Sequence, residues 1–230
     1  MMFKVEAHDL GLQCLFEDYL VFFGDQRAHS ENLKASFPHF ESRSVKQVHS
    51  DRVVRASHET IEADALFSTE CFQALYIKTA DCIPLFVIDP KKKAVLGIHA
   101  GWRGVVSQIA SKAVIPLLEI GCNPLDLKIV MGPHIRLRSF EVHEPVWVQL
   151  MDSVPVSFHH EAKSFYEKLP NAKFRVDLEK IVRTQLWDLK IPNDNIQALD
   201  IDTVSDFQWH SYRRDGQQSG RNLSFVARFR

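Results

Sequence analysis

Two histidines and a cysteine, His49, Cys82 and His99, form the set of side chains in this sequence best suited to chemistry on a metal ion. They sit in KQVHS (46–50), TADC (79–82) and HAGWRG (99–104), each at or just beyond the end of an apolar, strand-like run. Strand ends are where sites are commonly built on α/β scaffolds. A lone cysteine in an apolar stretch is usually an inert small hydrophobe, and a lone histidine is usually a satisfied polar residue. Only the combination points further. Two imidazoles and one thiolate suit a tetrahedral zinc ion, and three protein ligands leave the fourth position open for a reactant. Copper accepts the same donors. The spacings, 33 and then 17 residues, match no local finger or knuckle, so the fold must assemble the site. His134 and Cys122 remain open as further ligands.

Other polar residues cluster with these three. Asp81 precedes Cys82 between two apolar runs, where a carboxylate is costly unless paired or near a cation. Arg103 stands where a helix should begin, and a guanidinium beside free backbone N–H groups makes an anion or phosphate seat. The segment SYRRDGQQSGR (211–221) holds Arg213, Arg214 and Arg221 with Asp215 in a polar loop.

The surrounding pattern predicts the elements that carry these segments. ALYIKTA (74–80), IPLFVID (83–89) and AVLGIHA (94–100) read as strands, with DPKKK (89–93) as a turn between two of them. Val105, Val106, Ile109, Ala113, Val114, Leu117 and Leu118 recur at helical spacing up to Gly121, with Pro116 as a kink or an earlier end. LKIVMG (127–132) reads as a buried strand, 144–151 as a short helix and 152–172 as irregular. A helix over about 177–189 has Asp177 as N-cap, and 196–202 and 222–229 read as strands. Residues 1–45 read as a short α/β prelude. The expected architecture is α/β or α+β, one domain over 1–230 with a mixed sheet covered by helices.

Composition narrows the function classes. Lys and Arg number 28 against 29 Asp and Glu, so there is no field to draw nucleic acid or an anionic membrane. No apolar run reaches the length of a transmembrane helix. The first residues, MMFKVEAHDLGLQCLF, are broken by Lys4, Glu6, His8 and Asp9 and lack the apolar core of a secretory signal. The four cysteines form no CxxC pair, as expected of thiols or metal ligands in a reducing, cytoplasmic setting.

Taken in order, KQVHS, ADALFST, TADCIPLFVID, IHAGWRG, GPHI, FEV and SYRRDGQQSGR resemble the YfiH-like proteins, also called laccase-domain or multicopper polyphenol oxidase proteins and, more recently, purine nucleoside phosphorylases. The resemblance covers roughly 44–226. It implies one α/β domain with a layered sheet core, and metal ligands at His49, Cys82 and His99 holding zinc, with copper in the older oxidase reading. The implied activity is phosphorolysis of adenosine, inosine, guanosine or methylthioadenosine, together with adenosine deamination. The partners are then a small nucleoside and phosphate. Bacterial members are also linked to editing of peptidoglycan precursors.

On that reading Arg103 seats phosphate, Asp81 donates a proton or orients a ligand histidine, Gln47 reads a purine edge, and Arg213 contacts substrate. Residues 1–45 depart from the family pattern, retaining only Asn32–Leu33 of its usual start, and Asp202–Thr203 stands where many members have Cys–Thr. Three alternatives stay open: a hydrolase of a peptidoglycan precursor with Cys82 as nucleophile and His99 as base, a copper oxidoreductase, and a non-catalytic zinc scaffold. HxH pairs of the kind that build multi-copper clusters are absent.

Overall fold

A computed structural model describes residues 2–230. The chain opens with a three-stranded meander, β1 (Lys4–His8), β2 (Gly11–Phe16) and β3 (Tyr19–Gly24), followed by α1 (Ser30–Ser36) and β4 (Glu41–Ser44). Next come β5 (Val53–Arg55), β6 (Ala65–Ser68), β7 (Gln73–Thr79), β8 (Ile83–Asp89), β9 (Ala94–Ala100), α2 (Trp102–Val106), α3 (Ile109–Glu119) and β10 (Lys128–Met131). The remaining elements are β11 (Glu141–His143), α4 (Glu144–Asp152), β12 (Tyr166–Leu169), β13 (Lys173–Val176), α5 (Leu178–Asp188), β14 (Ile196–Ala198), α6 (Tyr212–Asp215) and β15 (Asn222–Arg228).

Two six-stranded mixed sheets form the centre, in the orders β1-β2-β3-β15-β7-β4 and β14-β10-β8-β9-β6-β5, and β11-β13-β12 make a small third sheet. Most ladders are antiparallel, while β4–β7, β5–β6 and β10–β14 are parallel. This is the mixed α/β architecture that the pattern of strands and helices predicts.

The pleat distributes the core between layers. In β8, Leu85 and Val87 pack towards the helices, where α3 and α5 contribute Ala113, Leu117, Ile181 and Val182. Phe86 and Ile88 face the other sheet, meeting Phe23, Leu75, Ile77 and Val226. Leu20, Phe22 and Phe225 turn outward against Leu33 of α1. Strands buried on both faces read as unbroken apolar runs, which is why β8 and β9 stand out in the sequence.

Several details differ from the sequence reading. Residues 4–24 are a β-meander, so the prelude is mostly sheet. The helix after AGWRG is two helices, because Gln108 takes a left-handed backbone conformation, φ 59°, between α2 and α3. Pro116 stays inside α3, and Gly121, at φ 89°, follows its end. The β12–β13 hairpin spans 166–176, so the end of the 152–172 stretch expected to be irregular is sheet. Asp177 caps α5 as expected, its carboxylate accepting from Lys180 N at 2.9 Å.

Candidate functional site

β7 belongs to the first sheet and β8 to the second, so Ala80–Asp81–Cys82 is the corner by which the chain crosses between them. The turn puts Asp81 at φ 87°, a region unfavourable for a residue with a Cβ. β8 then pairs antiparallel with β9, Ile83 opposite Ala100 and Pro84 opposite His99, which brings Cys82 beside Gly101 and close to His99. The KQVHS segment reaches the same place from the other side, held by the Gln47 amide, which donates to Lys78 O at 2.7 Å and accepts from Lys78 N at 2.8 Å.

The corner, the end of β9 and the 46–50 segment bring the predicted trio together. One donor atom from each of His49, Cys82 and His99 lies within 4.8 Å of the others. His49 Nε2 is 3.9 Å from Cys82 Sγ, and the two imidazoles meet edge to face at 4.8 Å between centroids. Zinc bonds of about 2.0–2.1 Å to nitrogen and 2.3 Å to sulfur, at a tetrahedral angle, put such donors roughly 3.6 Å apart. The trio therefore fits one ion after small side-chain rotations. Among the described residues no other group of three such side chains converges.

Gly101 makes this approach sterically feasible, since a Cβ there would lie 2.9 Å from His49 Cδ2 and 3.0 Å from Cys82 Sγ. The two other histidine and cysteine candidates are elsewhere. His134 is buried and bonded through Nδ1 to Gly132 O at 2.8 Å, with Arg136 and Glu179 near Nε2, and Cys122 is buried near Asp89 and Lys92.

The sequence reading missed Asp64. This fully buried carboxylate precedes β6 and accepts His99 Nδ1 at 2.7 Å, leaving Nε2 for an ion. It also accepts the backbone N–H groups of Val48 at 3.2 Å, His49 at 3.0 Å and Ser50 at 2.6 Å, and the Ser50 hydroxyl at 2.7 Å. It thus supports one histidine by its ring and the other by its backbone, where His49 is held at φ 60°. The carboxylate hydrogen-bonded to the His99 ring is therefore Asp64 and not Asp81. A signal was present in ADALFS, an acidic residue leading straight into a strand.

Electrostatics follow from these contacts. Burial penalises the Asp64 charge, but the His99 and Ser50 bonds outweigh it and hold the carboxyl well below its usual range. Burial also works against His99 as a cation, yet Asp64 and Cys82 push it up to about 9. Burial alone would raise the Cys82 thiol; His49 and His99 outweigh that and bring it down to about 6. Both shifts run in the direction that favours a thiolate beside an imidazolium.

The trio opens onto a cleft of about 880 Å³ that also takes in Gln47, Asp81, Arg103 and Arg213. Arg103, on α2, lies over the Trp102 ring at 4.4 Å. α2 is only five residues long, so its guanidinium, rather than a helix dipole, supplies the positive charge. Asp81 is nearly buried, and both its carboxylate oxygens are engaged, Oδ1 by the Thr203 hydroxyl at 2.7 Å and Oδ2 by Arg213 N at 2.6 Å. Thr203 belongs to the Asp202–Thr203 pair flagged as a family departure. The Arg213 guanidinium reaches Glu141 O at 2.8 Å and Ser139 O at 3.4 Å, tying α6 to the opposite wall beside Phe140. No helix among the described residues is long and apolar enough to cross a membrane.

The chain is 28% identical over 200 residues to a purine nucleoside phosphorylase of Clostridium acetobutylicum, covering 85% of this chain and 80% of that one. It is 32% identical over 207 residues to a purine nucleoside phosphorylase of Pseudomonas aeruginosa, covering 88% and 81%. The crystal structure of YlmD from Geobacillus stearothermophilus superposes with a TM-score of 0.88 at 21% identity, covering 100% of this chain and 99% of that one, which shows a shared fold. A family profile described as multi-copper polyphenol oxidoreductase laccase matches residues 24–228, and on that match the chain belongs to this family.

Proposed function

We propose that the protein is a metal-dependent purine nucleoside phosphorylase, with His49, Cys82 and His99 as ligands of a zinc ion. The observation that carries this reading is the opening of a three-donor site onto a cleft that also holds unneutralised guanidinium groups. Relatives named as purine nucleoside phosphorylases support the same reaction class. His49, Cys82 and His99 would hold a divalent ion, which would supply Lewis acidity at the floor of the cleft.

The chain's own groups supply the rest. Arg103, with no carboxylate partner among the described residues, receives phosphate and offers a planar fork for its oxygens. Arg213, pinned by backbone carbonyls, contacts the nucleoside. Asp81 enters as a positioning residue and not as the proton donor, because its two oxygens already hold Thr203 and the start of α6. Gln47 likewise supports the wall through Lys78 rather than reading a purine edge. The multi-copper oxidase reading is set aside because only one three-donor set converges among the described residues, too few ligands for such a cluster, although those donors also accept a single copper ion. Adenosine deamination, with water replacing phosphate as the second reactant, is the companion activity.

A second reading has one specific observation in its favour. Asp64, His99 and Cys82 line up as orienter, base and nucleophile, the arrangement a thiol hydrolase needs, with an amino-acid or peptidoglycan precursor as substrate.

The deciding experiment incubates the purified protein with adenosine and inosine, with and without phosphate, and identifies the products. Phosphate-dependent release of free base is expected. Adenosine converted to inosine without phosphate points to the deaminase branch, and no turnover of either nucleoside overturns the reading. His99→Ala should lose bound metal and activity together; full phosphorolysis by that metal-free variant would overturn metal dependence.

A further inference from the structure

The charge lining the cleft exceeds what one inorganic phosphate needs. Lys46, Lys78, Arg103, Arg213 and Arg221 line it, against the carboxylates of Asp81 and Glu141. Lys46 is neutralised by Glu62 at 2.8 Å, and Glu141 is spent on Lys173 at 2.7 Å. A phosphate carrying about 1.5 to 2 negative charges is matched by Arg103 and the ion. Lys78, Arg213 and Arg221 are left over against the single carboxylate of Asp81, and none of the three has a carboxylate partner within ion-pair distance among the described residues.

Lys78 and Arg221 stand at the rim at the end of β7, and the Arg213 guanidinium faces them from the wall formed by Ser139–Glu141. Lys78 is the penultimate residue of that strand. β15 begins with Asn222 opposite Thr79, so Arg221 leaves the sheet beside it. Arg213 hangs from Asp81, two residues beyond Thr79, through its backbone N–H.

The two arginines are also held in a telling way. Nη1 of Arg221 donates to the carbonyls of Ser219 at 2.9 Å and Gly220 at 2.8 Å, as Nη1 of Arg213 does to Ser139 and Glu141. Carbonyl oxygens orient a guanidinium without cancelling its charge, and the other nitrogens stay available. Arg214 in the same loop shows the contrast: Asp215 neutralises it at 2.8 Å and three carbonyls hold it as a structural residue.

We propose that Lys78, Arg213 and Arg221 form a second anion seat for a phosphate monoester on the substrate's sugar, so that nucleoside monophosphates are substrates. This rests on the phosphorylase reading for its chemistry. In the reaction a phosphate oxygen forms the new bond to C1′, the C1′–N bond breaks, and its electron pair leaves with the base, which takes up a proton. The product is a sugar bisphosphate. A cleft of about 880 Å³ has room for a nucleotide and a second phosphate at the Arg103 end.

The test compares adenosine, adenosine monophosphate and inorganic phosphate alone, by calorimetric titration of the metal-loaded protein and by base release with phosphate present. The variant is the double substitution Lys78→Ala with Arg221→Ala. Both are exposed side chains without ion pairs, so the fold should tolerate their loss. The monophosphate should bind about tenfold or more tightly than the nucleoside, the value of a charge-assisted contact. That advantage should shrink with added salt and disappear in the double variant. Equal affinity for nucleotide and nucleoside overturns the second seat, as does a nucleotide advantage that the double variant keeps. Base release from adenosine without any nucleotide advantage rejects the seat and leaves the phosphorylase reading standing. A nucleotide advantage lost in the variant, with no base release from either compound, keeps the seat and rejects the phosphorylase.

Discussion

Asp64 takes five hydrogen bonds of 3.2 Å or shorter in a fully buried position. An amide in its place has one acceptor oxygen instead of two, so it cannot serve both the 48–50 backbone and the His99 ring. Asp64→Asn should therefore weaken metal affinity by about 10–100-fold, read by competition with a chromophoric chelator while circular dichroism reports the fold. Unchanged affinity would remove Asp64 from the site. Cys82 offers a second test. Burial opposes its ionisation, but His49 and His99 bring it down to about 6, whereas burial leaves Cys14 and Cys122 pushed up to about 12. In chelator-treated protein carrying Cys71→Ser, alkylation of Cys82 should accelerate as pH rises through about 6 and level off above it. Metal-loaded protein should react slowly at every pH, and fast reaction there would favour the thiol-hydrolase reading.

Elements were legible in proportion to how fully they are buried. β8 and β9 match the runs 83–89 and 94–100 because both faces are covered and no polar residue breaks them before Asp89 and His99. α5 was legible from Asp177 as cap and from its apolar face. The break between α2 and α3 was not, because Val105 and Ile109 keep helical spacing whether or not Gln108 turns left-handed. The β12–β13 hairpin was hidden by its position at the surface, where Glu167 and Lys168 are exposed and the alternation is weak. The trio was found because its residue types are rare at strand ends. Asp64 was passed over because its donors come from four chain positions, Val48, His49, Ser50 and His99, that only the fold unites. The cap is testable: Asp177→Ala should cost about 1 kcal/mol and lower Tm by roughly 2–4 °C. A melting curve matching the parent's would mean that Lys180 N finds another acceptor.

At the scale of the molecule, the two large sheets meet through Phe23 and Phe86, whose rings lie 5.7 Å apart. Gly132 is packed so tightly there that a Cβ would fall 2.1 Å from Phe23 Cε1. Phe86→Ala should cost about 3–5 kcal/mol in denaturant unfolding. The variant should also bind metal less tightly although it touches no ligand; parent-like affinity would show that the corner holds its shape unaided.

The reason lies in the Ala80–Asp81–Cys82 corner. Sulfur rides on the joint between the layers, while the His99 ring and the His49 backbone are tethered through Asp64 at the head of β6. An ion gripped by all three works as a rivet across that joint. Loading it ought to stiffen the sandwich against sideways slip, and resistance to unfolding should then climb with the free concentration of the metal.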